Sequence, residues 1–154
     1  MIAPTFVVIK AAIMKNIDIY LHFHGNSEKA MNFYKKVFGG EFINIQRYKD
    51  VPGSEKMSDE DKEKMIHIAL KFSEHTTLMA SDVVTKMEGP INFGNNYHIC
   101  LQASNEKEAD KLFNALSDEG KIEMPMNKTF WGAYFGMCVD KFGIQWMINY
   151  TNSK

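Results

Sequence analysis

The residues of this 154-residue chain able to do chemistry near neutral pH are five histidines, two cysteines and a scatter of carboxylates. Two histidines stand out by their setting. His67 lies in Met65–Phe72, where Ile66, Ile68, Leu70 and Phe72 alternate with His67, Ala69 and Lys71. His98 lies in Tyr97–Gln102 and alternates in step with Cys100 and Gln102. Successive side chains of a strand point to opposite faces, so each histidine belongs to a mixed face backed by an apolar one. A neutral imidazole there is a ligand for zinc, nickel, iron or copper, or a hydrogen-bonding wall for a bound molecule. Ile144–Tyr150 repeats the pattern, with Trp146 and Ile148 opposite Gln145, Met147 and Asn149.

Cys100 shares a face with His98, which leaves two readings: a thiolate activated by the imidazole, or a thiol packed as a small apolar group. Trp131, beside Gly132 and near Phe130, Tyr134 and Phe135, also has two: an aromatic wall for a flat ligand, or an anchor for the turn into the last hairpin. His22, His24 and His75, the last in the turn before a strand, read as unremarkable.

These positions need elements to hold them, and the order of elements is periodic. Ile17–Phe23 reads as a strand, and Ser27 offers a helix N-cap. Ala30, Met31, Phe33, Tyr34, Val37 and Phe38 then form a helical stripe that Gly39-Gly40 stops. Strands follow over Glu41–Tyr48, Met65–Phe72 and Thr76–Ser81, with a charged stretch Pro52–Lys64 in which Ser58 and Asp61 spell a capping box. The second half starts over: a strand Tyr97–Gln102, a cap from Asn105 and Glu108, a helix on Ala109, Leu112, Phe113 and Leu116, then strands over Lys121–Met124, Ala133–Val139 and Ile144–Tyr150. Sliding one half onto the other by about 79 positions sets Ala30 on Ala109 and Tyr34 on Phe113, which is the mark of an internal duplication. At that offset Ile19 falls on His98, and the apolar set of the first strand would face the same side as the histidine. Either the register slips there, or His22 and His24 sit at an edge.

Composition narrows the function. Eighteen basic residues meet 19 acidic ones for a net charge of −1, and Arg47 is the only arginine. Phosphate backbones call for a basic surface and bidentate arginines, so a nucleic-acid partner is not expected. Two cysteines make no disulfide framework and point to a reducing, cytoplasmic setting. Residues 1–14 are apolar around Phe6–Ile9 but interrupted by Lys10. They read as an N-terminal extension, neither a signal nor a membrane span. No glycine-rich loop follows a strand as a dinucleotide site requires.

Several of these runs resemble a known family. Tyr20-Leu21-x-Phe23-x-Gly25-Asn26, followed by Ala30 and Phe33-Tyr34-x-x-Val37-Phe38-Gly39, is similar to the opening of PhnB-like proteins. Phe130-Trp131-Gly132, Gly136, Asp140, Phe142-Gly143, Trp146 and Ile148 resemble their closing signature. These proteins belong to the vicinal oxygen chelate superfamily, with glyoxalase I and the bleomycin-resistance proteins. The resemblance implies an α+β fold of two tandem βαβββ modules, residues 15–88 and 95–154 of a single domain 15–154, forming a curved mixed sheet around a cleft, completed in a homodimer. It carries the four metal-ligand positions of the family onto Ile19, His67, His98 and Met147. Only His67 and His98 suit a divalent ion. The expectation is therefore a protein that binds a small organic molecule through His67, His98, Cys100, Gln102, Trp131 and Met147, with no cofactor assigned and no membrane contact. The alternative is a lyase, isomerase or dioxygenase in which His67 and His98 hold a divalent metal with a borrowed third ligand such as Glu123.

Overall fold

The computed structural model describes residues 16–84 and 89–152; the extension expected over 1–14 lies outside them. Each half folds as strand, helix, strand, strand, strand. The first half comprises β1 (Ile19–Phe23), α1 (Ser27–Phe38), β2 (Glu41–Arg47), a one-turn helix α2 (Asp59–Lys62), β3 (Met65–Ser73) and β4 (Thr76–Asp82). The second comprises β5 (Ile99–Gln102), α3 (Glu106–Ser117), β6 (Lys121–Lys128), β7 (Ala133–Val139) and β8 (Gln145–Thr151). The sheets have matching orders, β1-β4-β3-β2 and β5-β8-β7-β6. In each, the first strand runs parallel to the last, and the other pairs are antiparallel. The duplication is thus a duplication of topology, and both sheets are open.

Local chemistry sets the element ends. The N-cap of α3 is Asn105, whose side chain accepts from the Glu108 amide at 2.8 Å, while the Glu108 carboxylate accepts from the Ser104 amide at 2.6 Å. That hydrogen bond holds the Glu108 carboxyl below its usual range. Ser58 caps α2 through the Asp61 amide. Ser27, in contrast, is the first residue of α1 and not its cap. The free amide of Ser27 is taken instead by Asp82 at 2.9 Å, whose other oxygen accepts from the Met65 amide at 2.9 Å. One buried carboxylate at the end of β4 therefore caps a helix and starts β3. After each helix a glycine, Gly40 or Gly120, presses on the backbone of the neighbouring strand, where a Cβ would strike Lys71 or Val139.

The core is continuous across the halves. Phe23, Met31, Tyr34, Ile68, Leu70 and Leu78 from the first join Phe113, Leu116, Cys138, Trp146 and Ile148 from the second. At the junction the Tyr34 ring meets Trp146 edge-on at 5.5 Å, and Phe142 packs against Phe23, Phe33 and Tyr34. Asp140, 3% exposed, lies among them. Its Oδ2 accepts from the Tyr34 hydroxyl at 2.7 Å and from Trp146 Nε1 at 2.8 Å; its Oδ1 accepts from the Phe142 and Ile144 amides. A buried charge is tolerated only when its lone pairs are filled, and here four donors from both halves fill them.

Asp140→Ala leaves four donors without their acceptor, each worth about 1–3 kcal/mol when unpaired in the core, so urea denaturation should show a loss above about 4 kcal/mol. Tyr34→Phe, which removes one donor to a charged acceptor, should cost about 1.5–3 kcal/mol. Stability should also fall in alkali. Burial, and next to it the Asp140 carboxylate, pushes the Tyr34 phenol far above its ordinary 10.0. Burial likewise pushes the Cys138 thiol from 9.0 up to about 12. Both folded values lie above the unfolded ones, so these groups stabilise fully below pH 9 and progressively less as the pH rises toward 12. Denaturation midpoints measured from pH 8 upward should decline over that window, and Cys138→Ala should flatten the decline.

Candidate functional site

Register decides which side chains face the helices and which remain open. In the first sheet Ile19 pairs with Leu78 and Leu21 with Ala80, while Leu70 and Ile68 of β3 continue these rows. All belong to the core. The odd residues of β1 thus face α1, and Tyr20 and His22 face away from it. In the second sheet Ile99 pairs with Trp146 and Leu101 with Ile148, so Ile19 is the counterpart of a core isoleucine and not of His98. The register does slip: the helices match at 79 positions, the strands at an even offset. His22 is on the open face, and the family ligand position carried onto Ile19 falls on a side chain turned to the core.

The first open face gathers three rings. Tyr20 Oη lies 3.1 Å from His67 Nδ1, and the Tyr20 ring is 5.2 Å from that of His22. His22 Nδ1 lies 3.2 Å from Ser81 Oγ. His24, at the end of this strand, accepts from the Ile91 amide through Nε2 at 3.3 Å. It ties β1 to the segment joining the two halves. Tyr20, His22 and His24 are not placed by the sequence because the helix offset leaves the parity of their strand open between a register slip and an edge position. The ordinary rule that apolar alternates face the helix would have found them.

The second open face is of another character. Cys100, Met147, Met137 and Met124 are paired in one row across all four strands. Gln102 and Asn149 form the next row; Asn149 Nδ2 donates to Gln102 Oε1 at 2.8 Å, and Gln102 Nε2 donates to Cys100 Sγ at 3.4 Å. His98, just before β5, places Nε2 3.0 Å from Glu123 Oε2 on β6. Cys100 is exposed and not packed inside, whereas Cys138 is buried. Burial of the Cys100 sulfur raises its thiol above the ordinary 9.0, the opposite of activation by His98. Trp131 stands at the exposed tip of the β6–β7 hairpin, edge-on to Phe130 at 4.9 Å. The turn itself is held by Thr129 and Ala133, not by the indole.

Two cavities open where β1 and β5 approach each other. One, of about 460 Å³, is lined by Asp18, Tyr20, His22, Phe93, Tyr97, Ile99 and Ile144 among others. The other, of about 640 Å³, is lined by Ile19, Phe38, Leu78, Ile99, Cys100, Gln102, Glu108 and Trp146 among others. His67 reaches the first through the Tyr20 hydroxyl; His98, Met147 and Trp131 are outside both linings.

Donor chemistry tests the divalent metal that the fold implies. β1 pairs with β4 as β5 pairs with β8, so the counterpart of Met147 is Met79, in register with Tyr20 as Met147 is with Cys100. His67 is on β3, one strand further in. The structural equivalents thus offer thioethers where a zinc-like ion wants three imidazole, carboxylate or thiolate ligands. Among the described residues no group of three or more His, Cys, Asp or Glu is placed to hold a metal. The residues do not fit a divalent ion, and no step is derived through one.

Comparison with known proteins agrees with this architecture. The chain is 29% identical over 134 residues to Protein YjdN of Escherichia coli K12, covering 84% of this chain and 91% of that protein. The solved structure of PA1353 from Pseudomonas aeruginosa superposes with a TM-score of 0.79 at 35% identity, over 90% of this chain and 98% of the other. A PhnB protein from Bacillus cereus, described as a 3-demethylubiquinone-9 3-methyltransferase, superposes with a TM-score of 0.72 at 28% identity, over 89% and 100%. Residues 16–148 match the sequence profile of one family, and the chain belongs to it: the glyoxalase/bleomycin resistance protein/dioxygenase superfamily.

Proposed function

We propose that this protein binds a small, flat, weakly polar organic molecule between its two modules, as a homodimer in the cytoplasm. The observation that carries this reading is the 460 Å³ cavity at the β1–β5 junction, whose size falls within the roughly 300–1,000 Å³ of small-molecule sites. Tyr20, Phe93 and Tyr97 supply aromatic surface, Ile91, Ile99 and Ile144 supply apolar walls, and Asp18, Asn92 and His22 supply a few polar groups. Such a lining selects shape and one or two hydrogen bonds, which suits a chain of net charge −1 without a basic cluster. His67 contributes by fixing the Tyr20 hydroxyl. Support for the dimer comes from apolar side chains left exposed on the outer strands, Ile43 and Ile45 on β2 with Ile122 and Met124 on β6. Among the described residues no helix is long and apolar enough to cross a membrane.

A thermal-shift screen of flat organic compounds tests the site. A compound at 100 times its Kd should stabilise the protein by about 2.7 kcal/mol, and the shift should vanish in Tyr20→Ala and Phe93→Ala. A shift that survives both substitutions would place the ligand elsewhere. Sedimentation should give twice the 17.7 kDa of one chain; a monomer would remove the dimer from the reading. A binding protein rather than a thiol enzyme also predicts slow alkylation of Cys100. With its thiol raised by burial, less thiolate is present at pH 8 than on a free cysteine. Iodoacetamide should then react more slowly than with free cysteine and faster as the pH climbs past 9. Faster reaction than free cysteine would restore the nucleophile.

A further inference from the structure

The second open face carries a feature that an organic ligand at the β1–β5 junction does not use. Cys100, Met147, Met137 and Met124 place one sulfur on each of the four strands, in a single row of paired positions. Directly paired side chains have Cβ atoms about 5 Å apart, and an unbranched thioether has the reach and rotatable bonds to close that gap. His98, just before β5, and Glu123 on β6 stand at the two edges of the sheet, about 14 Å apart across three strand spacings, and their side chains bridge that span, with Nε2 3.0 Å from Oε2. Cys100 follows His98 by two residues and shares its face, and a register shift between Ile122 and Met124 sets Met124 opposite Met137, so the sulfur row lies beside that bridge.

We propose that this row is a binding site for a soft monovalent metal ion of the copper(I) class, held by the Cys100 thiolate with the thioethers of Met147 and Met137. Thiolate and thioether donors select copper(I), whereas they are a poor set for the harder divalent ions. The same residues that disqualify the divalent site of the family thus define a different one. On binding, the ion forms bonds to three sulfurs and the Cys100 thiol releases its proton to solvent; no oxidation state changes. One thiolate and one monovalent cation leave the site neutral, which suits a half-buried face. The inference is independent of the organic ligand, because none of these sulfurs lines the cavity holding Tyr20 and His22.

The probes are copper(I) itself, titrated anaerobically against a chromophoric copper(I) chelator, and silver(I), its redox-inert analogue, followed through methyl-13C methionine spectra. The other nine methionines serve as internal controls. One equivalent of silver(I) should move the methyl signals of Met147 and Met137 and leave those on the other sheet in place. Cys100→Ser and Met147→Leu should each weaken copper(I) by about tenfold or more, and Cys138→Ala should leave it unchanged. Unmoved methyls in either variant, compared with wild type before metal is added, show that it is folded. The proposal is overturned if the wild type draws no copper(I) from the chelator, if the shifted methyls lie elsewhere, or if Cys100→Ser binds as wild type does.

Discussion

A carboxylate in an apolar core is tolerated only if the groups around it fill its lone pairs, and the junction of this protein is arranged around that requirement at Asp140. Its four donors come from three places in the chain: the Tyr34 hydroxyl on α1, the Trp146 indole on β8, and two amides of the β7–β8 turn. Satisfying one side chain therefore fixes the helix of the first module against the last strand of the second. The aromatic rings around it fix the angle of approach, since Tyr34 meets Trp146 edge-on and stacks on Phe38. Because this contact lies on the helix side of both sheets, the edge strands β1 and β5 are brought near each other, and the cavities at their junction follow. Asp82 plays the local counterpart within the first module, joining the start of α1 to the start of β3.

With the helix sides spent on a common core, each sheet keeps one open face, and duplication lets the two faces diverge. The first carries imidazoles, a phenol and a hydroxyl, Tyr20, His22, His67 and Ser81, linked in pairs. The second carries sulfurs and amides, with one imidazole held by Glu123. Neither face reproduces a zinc-like donor set, because at equivalent positions the strands carry Met79 and Met147.

Most of the fold was legible because it is written in local patterns. The helical stripes, the stop at Gly39-Gly40, the Asn105 cap and the alternation in Met65–Phe72 each report on a few neighbouring residues, and together they spelled the repeat. What local patterns do not carry is partner choice. Ser27 looks like a cap, but the acceptor for its amide is Asp82, 55 residues away. The parity of β1 is hidden because one more residue lies between Ile19 and Ala30 than between their counterparts Ile99 and Ala109, and a slip of one exchanges the two faces of a strand. His67 and His98 were rightly placed on mixed faces. Their partners, Tyr20 and Glu123, became visible only with the pairing of strands, although Glu123 was within the set considered as a borrowed ligand. Cys100 lies on an edge strand that leaves it exposed while its sulfur stays partly desolvated, a setting that only the strand order reveals.

The chemistry of this site therefore turns on which residues the duplication has allowed to drift. A metal-dependent member of the fold must keep donors converging on one point from both modules. A chain freed from that demand keeps only what the scaffold needs, which is the buried carboxylate, the helix-side aromatics and the glycines that abut the strands. Open-face positions can then become aromatic and imidazole in one module and sulfur in the other without disturbing the core, because alternation insulates the two sides of a sheet. That insulation is the physical reason the family is plain in Tyr34, Asp140, Phe142 and Trp146, while the open faces differ from each other in Tyr20, His22 and the sulfur row beginning at Cys100.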